Sequence, residues 1–390
     1  TAPNAQQLVT LSPLVTIREP SISVNKTFTP SSGDSATATR VRITVTAGSA
    51  PRSPAYNVAL SDVLSSTNFD YQGNLSHFSG VAPDSLNESS GTVSATWAQL
   101  NPGQSSSIEF DVRLQTGLPI GTTHSNTATA TWMSYPTAPT GVDTYNSLAV
   151  RRTGNTSDIG GSANNYSSNG SANFSNTAGL SKSVISTSHA HTSASNVAIG
   201  ESVRYRLTTT VPESITNGVI IRDQLPTGIR FISGSAKVAL VATTSLTSST
   251  VSGAFVTGNE TTVNSITPSV SITGQGGPFV SGTDVDFDFG TLTNSDNDAD
   301  SEFIVIEFDA LILNEAGVIN GSSLGNTYQL FRNTSTLIST SINVDVAVVE
   351  PRLVVAKSVD NLLPNYGNQI QYSLNIDHAL VSSADAFDLT

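Results

Sequence analysis

The chain has 390 residues, no cysteine and a formal net charge of −13, and only 12% of its residues are charged. This acidic balance argues against nucleic acid or an anionic membrane as a partner, and the lack of cysteine excludes disulfides. The apolar content of 37% is sufficient for a packed core, and no run is long and apolar enough to cross a bilayer.

Short runs rich in Val, Ile and Thr recur along the whole chain, separated by clusters of Gly, Pro, Asn and Ser. Such runs are typical of β-strands, and no segment shows the capped three-to-four spacing of apolar residues that predicts a helix. The sequence therefore predicts an all-β protein made of antiparallel β-sandwiches, and its length favours two or three domains.

One strand pattern that contains a lysine occurs three times, at Ile22–Lys26, Leu180–Val184 and Leu353–Val359. Three of the four lysines lie in it, and they are 156 and then 175 residues apart. A strand of matching pattern follows all three copies, at 40–45, 200–207 and 367–374. Three further strands match between the first and second copies, at 57–62 and 218–223, at 108–111 and 306–309, and at 121–127 and 321–327.

These repeats predict the domain boundaries. Residues 20–178 are expected to form the first sandwich repeat, 179–350 the second and 351–390 the start of a third, while 1–19 resemble the closing strands of a preceding repeat. We therefore interpret the chain as a window from a longer array. The alternative is a complete subunit whose N-terminal strand completes a neighbour's open domain.

The repeated lysines are predicted to point into the core, because alternate residues of a strand face the same side. Lys26 shares its face with Ile22 and Val24, Lys182 with Leu180 and Val184, and Lys357 with Leu353 and Val355. A charged amine on an apolar face costs on the order of several kcal/mol unless it is paired or neutralised. Each lysine therefore needs a specific partner.

The same alternation selects candidate partners. Asp62 shares its face with Val58 and Leu60, Asp223 with Val219 and Ile221, and Asn126 with Ala128 and Ala130. Asn326 matches Asn126 in the second repeat, although Asn333, which is also followed by Thr, competes with it. Glu109 and Glu307 alternate with apolar neighbours and are expected to face outward.

A buried Lys, Asp and Asn together can form an intramolecular isopeptide bond. Burial lowers the pKa of a lysine and raises that of an aspartate, which yields a neutral nucleophilic amine and a protonated acid that polarises the carboxamide. The predicted crosslinks are Lys26–Asn126 beside Asp62 and Lys182–Asn326 beside Asp223, and Lys357 is left unpaired in this chain. The alternative is a plain Lys–Asp ion pair, with Asn merely filling a turn.

Three motifs of the second repeat resemble a known family: Leu-x-Lys-Ser-Val from Leu180, Gly-Glu-x-Val-x-Tyr-x-Leu from Gly200 and Val-x-x-x-Asp-x-Leu-Pro-x-Gly from Val219. They resemble a bacterial surface repeat family that is related to a repeat of chlamydial outer-membrane cysteine-rich proteins and includes isopeptide-forming fimbrial domains. The resemblance covers nearly the whole chain. It implies tandem immunoglobulin-like sandwiches in a secreted or cell-surface protein, and it identifies no ligand.

Two classes of function fit these features. The first is an extracellular structural protein, a stalk, fimbria or filament subunit on a bacterial surface, whose partners are copies of itself or neighbouring repeats. The alternative is an adhesin that binds a glycan or a cell-surface protein through a long loop such as 151–170 or 241–282. Apart from single-turnover self-crosslinking, no enzyme motif is present, and no cofactor is expected.

Other polar residues give weaker signals. Asp296, Asp298 and Asp300 form a D-x-D-x-D loop that is a weak calcium candidate. The loop lacks the glycine and the closing glutamate of an EF-hand, which favours a solvated acidic turn. His189 and His191 are expected in surface loops rather than at a metal, and Trp97 and Trp132 in the core.

Overall fold

The computed structural model describes residues 15–137, 151–158, 160–189, 192, 195–360, 362–363, 365–380, 382 and 384–386. These residues form β-strands and two 3-10 helices, Gly161–Ala163 and Val263–Ser265, with no α-helix among them. The strands are β1 (Ile22–Thr29), β2 (Thr39–Ala47), β3 (Ala55–Val63), β4 (Phe69–Gly80), β5 (Ser85–Ser89), β6 (Thr92–Leu100), β7 (Ser105–Leu114), β8 (Thr122–Met133), β9 (Ser167–Asn176), β10 (Leu180–Thr187), β11 (Asn196–Ala198), β12 (Ser202–Val211), β13 (Ser214–Gln224), β14 (Ile229–Phe231), β15 (Lys237–Ala242), β16 (Leu246–Ser248), β17 (Phe255–Thr257), β18 (Val270–Ser271), β19 (Val285–Asn294), β20 (Glu302–Ile312), β21 (Ser323–Arg332), β22 (Thr336–Thr340), β23 (Val344–Val349), β24 (Leu353–Val359) and β25 (Tyr372–His378). The predicted all-β sandwich class is confirmed.

Contacts divide the described residues into two compact units. The first comprises those within 1–31, 38–113 and 124–174, and the second those within 32–37, 114–123 and 175–390. The repeat boundaries at 20, 179 and 351 stay predictions. Residues 1–14 of the predicted closing strands lie outside the described residues, and Val15 and Ile17 are exposed.

The first unit has two sheets, with strand orders β1-β2-β7-β4 and β5-β6-β3-β8-β9. In the first sheet β2 runs antiparallel to both β1 and β7, and in the second β3 runs antiparallel to both β6 and β8. The alternation of Val, Ile and Phe on these strands places one face of each sheet in the core, where Ile43, Phe110 and Trp97 are buried.

The second unit has the sheets β10-β12-β20-β15-β17 and β11-β23-β21-β13-β19-β16. Most of their neighbouring strands are antiparallel, and β11–β23 and β15–β17 are parallel. Aromatic rings fill the core, with the centroid of Phe308 lying 5.7 Å from that of Tyr205 and 5.9 Å from that of Phe287.

The two units share their central strand order. The order β1-β2-β7-β4 of the first unit corresponds to β10-β12-β20-β15 of the second, and β6-β3-β8 corresponds to β19-β13-β21.

The structure shows the burial of two tryptophans and two glutamates for which the sequence made predictions. Trp97 and Trp132 are buried, as predicted. Glu109 and Glu307, which were expected to face outward, are buried too. Each lies on the side of its strand opposite the core, as predicted, and is buried there because cross-strand arginines cover it.

The arginines bind these glutamates directly. Arg40 Nη1 donates to Glu109 Oε2 at 3.1 Å and Arg42 Nε to Glu109 Oε1 at 2.7 Å. In the second unit the donors are Arg204 Nε at 3.0 Å and Arg206 Nε at 2.9 Å, both to Glu307. Each glutamate is directly opposite an arginine in the strand register, which is why the side chains meet.

Strands β24 and β25 pair antiparallel as a separate two-stranded sheet. Lys357 lies opposite Leu374, and its Nζ is 4.3 Å from the centroid of the Tyr372 ring. The side chain is exposed, whereas its strand face predicted a core position. Among the described residues of this segment there is no second sheet to cover it.

None of the helices in the described part of the chain is long and apolar enough to cross a membrane.

Candidate functional site

Lys26 lies on β1, where it faces the core of the first unit. It is opposite Ile43 of β2 in the register, and only 4% of its surface is exposed. Its Nζ donates hydrogen bonds to Asp62 Oδ2 and Asn126 Oδ1, both of which belong to the facing sheet. The structure therefore brings together the three side chains that the sequence selected by strand alternation.

Strand register explains why Asp62 and Asn126 lie side by side. Asp62 of β3 is opposite Ala128 of β8, so Asn126 lies two residues away on the same face of β8. Asn126 Nδ2 donates to Val63 O at 2.9 Å, which fixes the orientation of the carboxamide. Both the acid and the amide are buried.

The surroundings of the Lys26 amine are apolar. The centroids of the Phe28 and Phe110 rings lie 5.7 and 5.9 Å from Nζ. Burial lowers the pKa of Lys26, although the charge of Asp62 and its hydrogen bond act in the opposite direction. The side chain is thus shifted toward the neutral amine that a nucleophile requires.

The second unit presents the same residue types on the corresponding strands. Lys182 of β10 is buried opposite Leu207, and its Nζ donates to Asp223 Oδ2 and, at 3.4 Å, to Thr327 O. Asp223 of β13 is opposite Tyr328 of β21, so Asn326 again stands two residues from the partner of the acid. This is the same register offset that relates Asp62 to Asn126.

Asn326 is fully buried and lies against Asp223 and Tyr205. Neither its Oδ1 nor its Nδ2 reaches good hydrogen-bond geometry with a described residue, although the carboxamide lies close enough to Asp223 to oppose the rise of its pKa. The competing Asn333 is exposed between β21 and β22, in a left-handed backbone conformation with φ 49°. Of the two asparagines, only Asn326 is therefore placed beside the buried acid.

Electrostatics at the second site favour the uncharged forms of both partners. Burial lowers the pKa of Lys182 to about 8, against the opposing effect of Asp223. Burial also raises the pKa of Asp223, against the opposing effects of Lys182 and Asn326. Because desolvation acts on both groups, transfer of a proton from the ammonium to the carboxylate is easier here than in water.

Two further features bear on what these sites can do chemically. Asp62 Oδ1 and Asp223 Oδ1 have no hydrogen-bond partner among the described residues, so each acid has an oxygen available for proton transfer. Tyr205 was not singled out from the sequence, yet its ring centroid lies 4.8 Å from Lys182 Nζ. The signal that could have found it is its position in the Gly-Glu-x-Val-x-Tyr motif, on the strand next to the lysine.

The acidic loop differs from its sequence interpretation in which residues come together. The structure groups Asp298 and Asp300 with Glu302, while Asp296 is hydrogen-bonded by Thr243 and Thr244. The alternating spacing D-x-D-x-D-x-E could have indicated Glu302 from the sequence. His189 is exposed, and His191 lies outside the described residues.

The fold and these sites define a β-sandwich protein with a buried Lys, Asp and Asn set in each of two units. A scan of the sequence against protein-family models finds no match, and a comparison with curated protein sequences finds none either. The resemblance to the bacterial surface repeat family therefore stays a prediction.

Several solved structures resemble the chain at low similarity. The C-terminal domain of the Streptococcus agalactiae AgI/II polypeptide BspA has a TM-score of 0.32 and 10% identity, covering 84% of this chain and 99% of that one. The major pilin subunit BcpA of Bacillus cereus has a TM-score of 0.28 and 10% identity over 84% and 67% of the two chains. The Enterococcus faecalis MSCRAMM ACE, described as binding its ligands by the collagen hug model, has a TM-score of 0.23 and 12% identity over 82% and 92%. Similarity at this level does not indicate a function for the present chain.

Proposed function

We propose that this chain is part of an extracellular structural protein, a stalk, fimbria or filament of a bacterial surface, whose sandwiches are crosslinked by Lys26–Asn126 and Lys182–Asn326 isopeptide bonds. The observation that carries the proposal is the double occurrence of a buried lysine that bonds to a buried acid, with a buried asparagine beside them. Two buried charges are costly to desolvate even when they are paired; amide formation removes the ammonium, and a proton on the remaining acid removes the other charge.

The reaction needs no external reagent. In the second unit, Lys182 transfers a proton to Asp223, and the neutral Nζ attacks Cγ of Asn326. Asp223 donates its proton to the departing amide nitrogen, and the proton lost from Nζ returns to the acid or leaves with ammonia. One C–N bond forms, one C–N bond breaks, and one ammonia is released.

The position of the bond suits a load-bearing role. Each crosslink would join the first strand of one sheet, β1 or β10, to a strand of the facing sheet, β8 or β21. Separation of the two sheets would then require rupture of a covalent bond rather than loss of packing alone. Unlike a disulfide, this bond resists reduction, which fits a chain without cysteine.

The adhesin alternative stays a prediction. The 241–282 segment is anchored to the second unit by buried residues such as Ala254, Val263 and Ile272, whereas many of its other residues are exposed. The copies or neighbouring repeats that would assemble with this chain, and its location at the cell surface, are part of the structural proposal.

Intact mass spectrometry of the purified full chain tests the crosslinks. We expect the wild-type mass to be lower than the sequence mass by two molecules of ammonia. The variants Lys26→Ala and Asp62→Ala should each have lost only one ammonia relative to their own sequence mass, because each substitution disables the first site only. Lys182→Ala and Asp223→Ala should do the same for the second site.

Two matched variants control for unrelated effects. Lys237 is another lysine of the second unit and donates to Ser271 Oγ at 2.7 Å, so Lys237→Ala should keep both ammonia losses. Asn333→Ala should also keep them, because Asn326 is the proposed partner. A wild-type chain with its full sequence mass, cleaved by trypsin after Lys26 and Lys182, would falsify the crosslinks and leave two buried ion pairs.

A further inference from the structure

A second cluster of polar groups lies in the turn between β19 and β20 of the second unit. Asp298, Asp300 and Glu302 each offer a carboxylate oxygen, and these oxygens lie within 4.8 Å of one another. The two aspartates are half-buried, while the intervening Ala299 is exposed. The turn therefore directs three successive alternate acids toward one point.

Buried oxygens without donors set this cluster apart from a solvated acidic turn. Glu302 is only 1% exposed, and its Oε2 accepts a hydrogen bond from Asn294 Nδ2 at 2.8 Å. Its Oε1 and Asp300 Oδ2 have no hydrogen-bond partner among the described residues. None of the ion pairs between described residues includes Asp298, Asp300 or Glu302. A buried carboxylate with no counter-charge is costly, so the cluster needs a cation or a proton.

We propose that Asp298, Asp300 and Glu302 bind a calcium ion. Calcium binds oxygen ligands at about 2.3–2.6 Å, so two of its ligands can be at most about 5 Å apart, which the cluster satisfies. The cluster has no sulfur or imidazole ligand, which argues against zinc and copper. Magnesium usually takes one or two carboxylates and retains several waters, so three converging acids favour calcium.

Asp296 is the natural comparison within the loop. Thr244 N donates to its Oδ2 at 3.0 Å. The single hydroxyl proton of Thr243 is shared between Asp296 Oδ2 and Asp298 Oδ2, each 2.9 Å away, and Asp296 lies outside the converging group of three acids. The ion would thus connect a braced turn to the first residue of β20.

Calorimetry and thermal unfolding of the full chain test the site, after removal of metal with a chelator. We expect calcium chloride to bind with a one-to-one stoichiometry and to raise the unfolding temperature of the second unit by roughly 5 °C or more at saturation. Glu302→Gln and Asp300→Asn should weaken calcium binding by about tenfold or more. Glu260→Gln, which removes an exposed acid of the same unit, should leave binding unchanged.

Glu302→Gln should also change the unfolding temperature in opposite directions without and with calcium. In chelator at pH 8, Glu302→Gln should unfold at the same temperature as wild type or higher, because it removes a buried unpaired charge. In the presence of calcium, the wild type should unfold at a higher temperature than Glu302→Gln. Absence of a calcium isotherm for the wild type, equal binding by Glu302→Gln, or magnesium binding as tight as calcium would each overturn the assignment.

Discussion

The two lysine sites use corresponding strands and the same register offset, but they hold the amide differently. In the first unit, Asn126 accepts from Lys26 and donates to Val63 O. In the second, the carboxamide of Asn326 lies against Asp223 and Tyr205 without a hydrogen bond of good geometry. The amide is therefore better satisfied by hydrogen bonds in the first site than in the second, where crosslinking would relieve more of the cost of burial.

Truncation of the asparagines should produce the largest effect and distinguish the crosslink from an ion pair. The residues joined are 100 positions apart in the first unit and 144 in the second, so loss of either bond should cost about 5 kcal/mol in the chain-entropy model. We expect Asn126→Ala and Asn326→Ala each to lower the unfolding temperature of its own unit by roughly 10–20 °C, measured by differential scanning calorimetry.

If the lysines form only ion pairs, the two asparagine variants should lose different amounts of stability. Without crosslinks, Asn126→Ala should cost only about 1–3 kcal/mol, because it leaves Val63 O and one lysine donor unpaired. Asn326→Ala should then cost less than Asn126→Ala, since its amide has no hydrogen bond of good geometry with the described residues. Lys237→Met, measured alongside, should leave the unfolding temperature of the second unit near that of wild type.

The pH dependence of stability should separate reacted from unreacted Lys182. In Asn326→Ala the amine stays free, and burial at this site lowers the pKa of Lys182 from its ordinary value of 10.5 to about 8. Between these values the unfolded chain binds more protons, so the stability of the second unit should rise with pH, by on the order of 3 kcal/mol in total. A crosslinked wild type has no amine to titrate there.

Chemical denaturation at pH 8, 9 and 10 of the variant and the wild type would measure this difference. Other groups, such as Glu213, titrate in the same range, but they are common to both chains and cancel in the comparison. If the wild type gains stability as steeply as the variant, Lys182 is unreacted in both.

The smallest expected effect concerns the outer-face glutamates. The side chain of Arg206 is 11% exposed and also donates to Asn264 O at 2.9 Å, whereas that of Arg42 is 46% exposed. We therefore expect Glu307→Gln to cost about 2–3 kcal/mol and Glu109→Gln about 1 kcal/mol, because Arg206 is left less hydrated without its partner. Equal losses in urea titrations would show that the burial of the arginine does not matter.

Strand alternation predicted the inward-facing lysines and acids of the two units because it depends only on the two-residue period of an extended chain. It also placed Glu109 and Glu307 on the correct strand face, but it could not predict their burial. Their cover comes from arginines on another strand, and the register that aligns these strands is a property of the assembled sheet. For the same reason, the choice of Asn326 over Asn333 needed the structure.

The sequence by itself determined that the chain is all-β, which lysines repeat, and which acids share a face with core residues, since these follow from local periodicity. The tertiary structure decided which side chains meet. Facing sheets bring Lys26 to Asn126 across 100 residues of chain, leave Lys357 exposed on a two-stranded sheet, and gather Glu302 with Asp298 and Asp300 instead of Asp296. Such encounters depend on register and sheet packing, which no local pattern encodes.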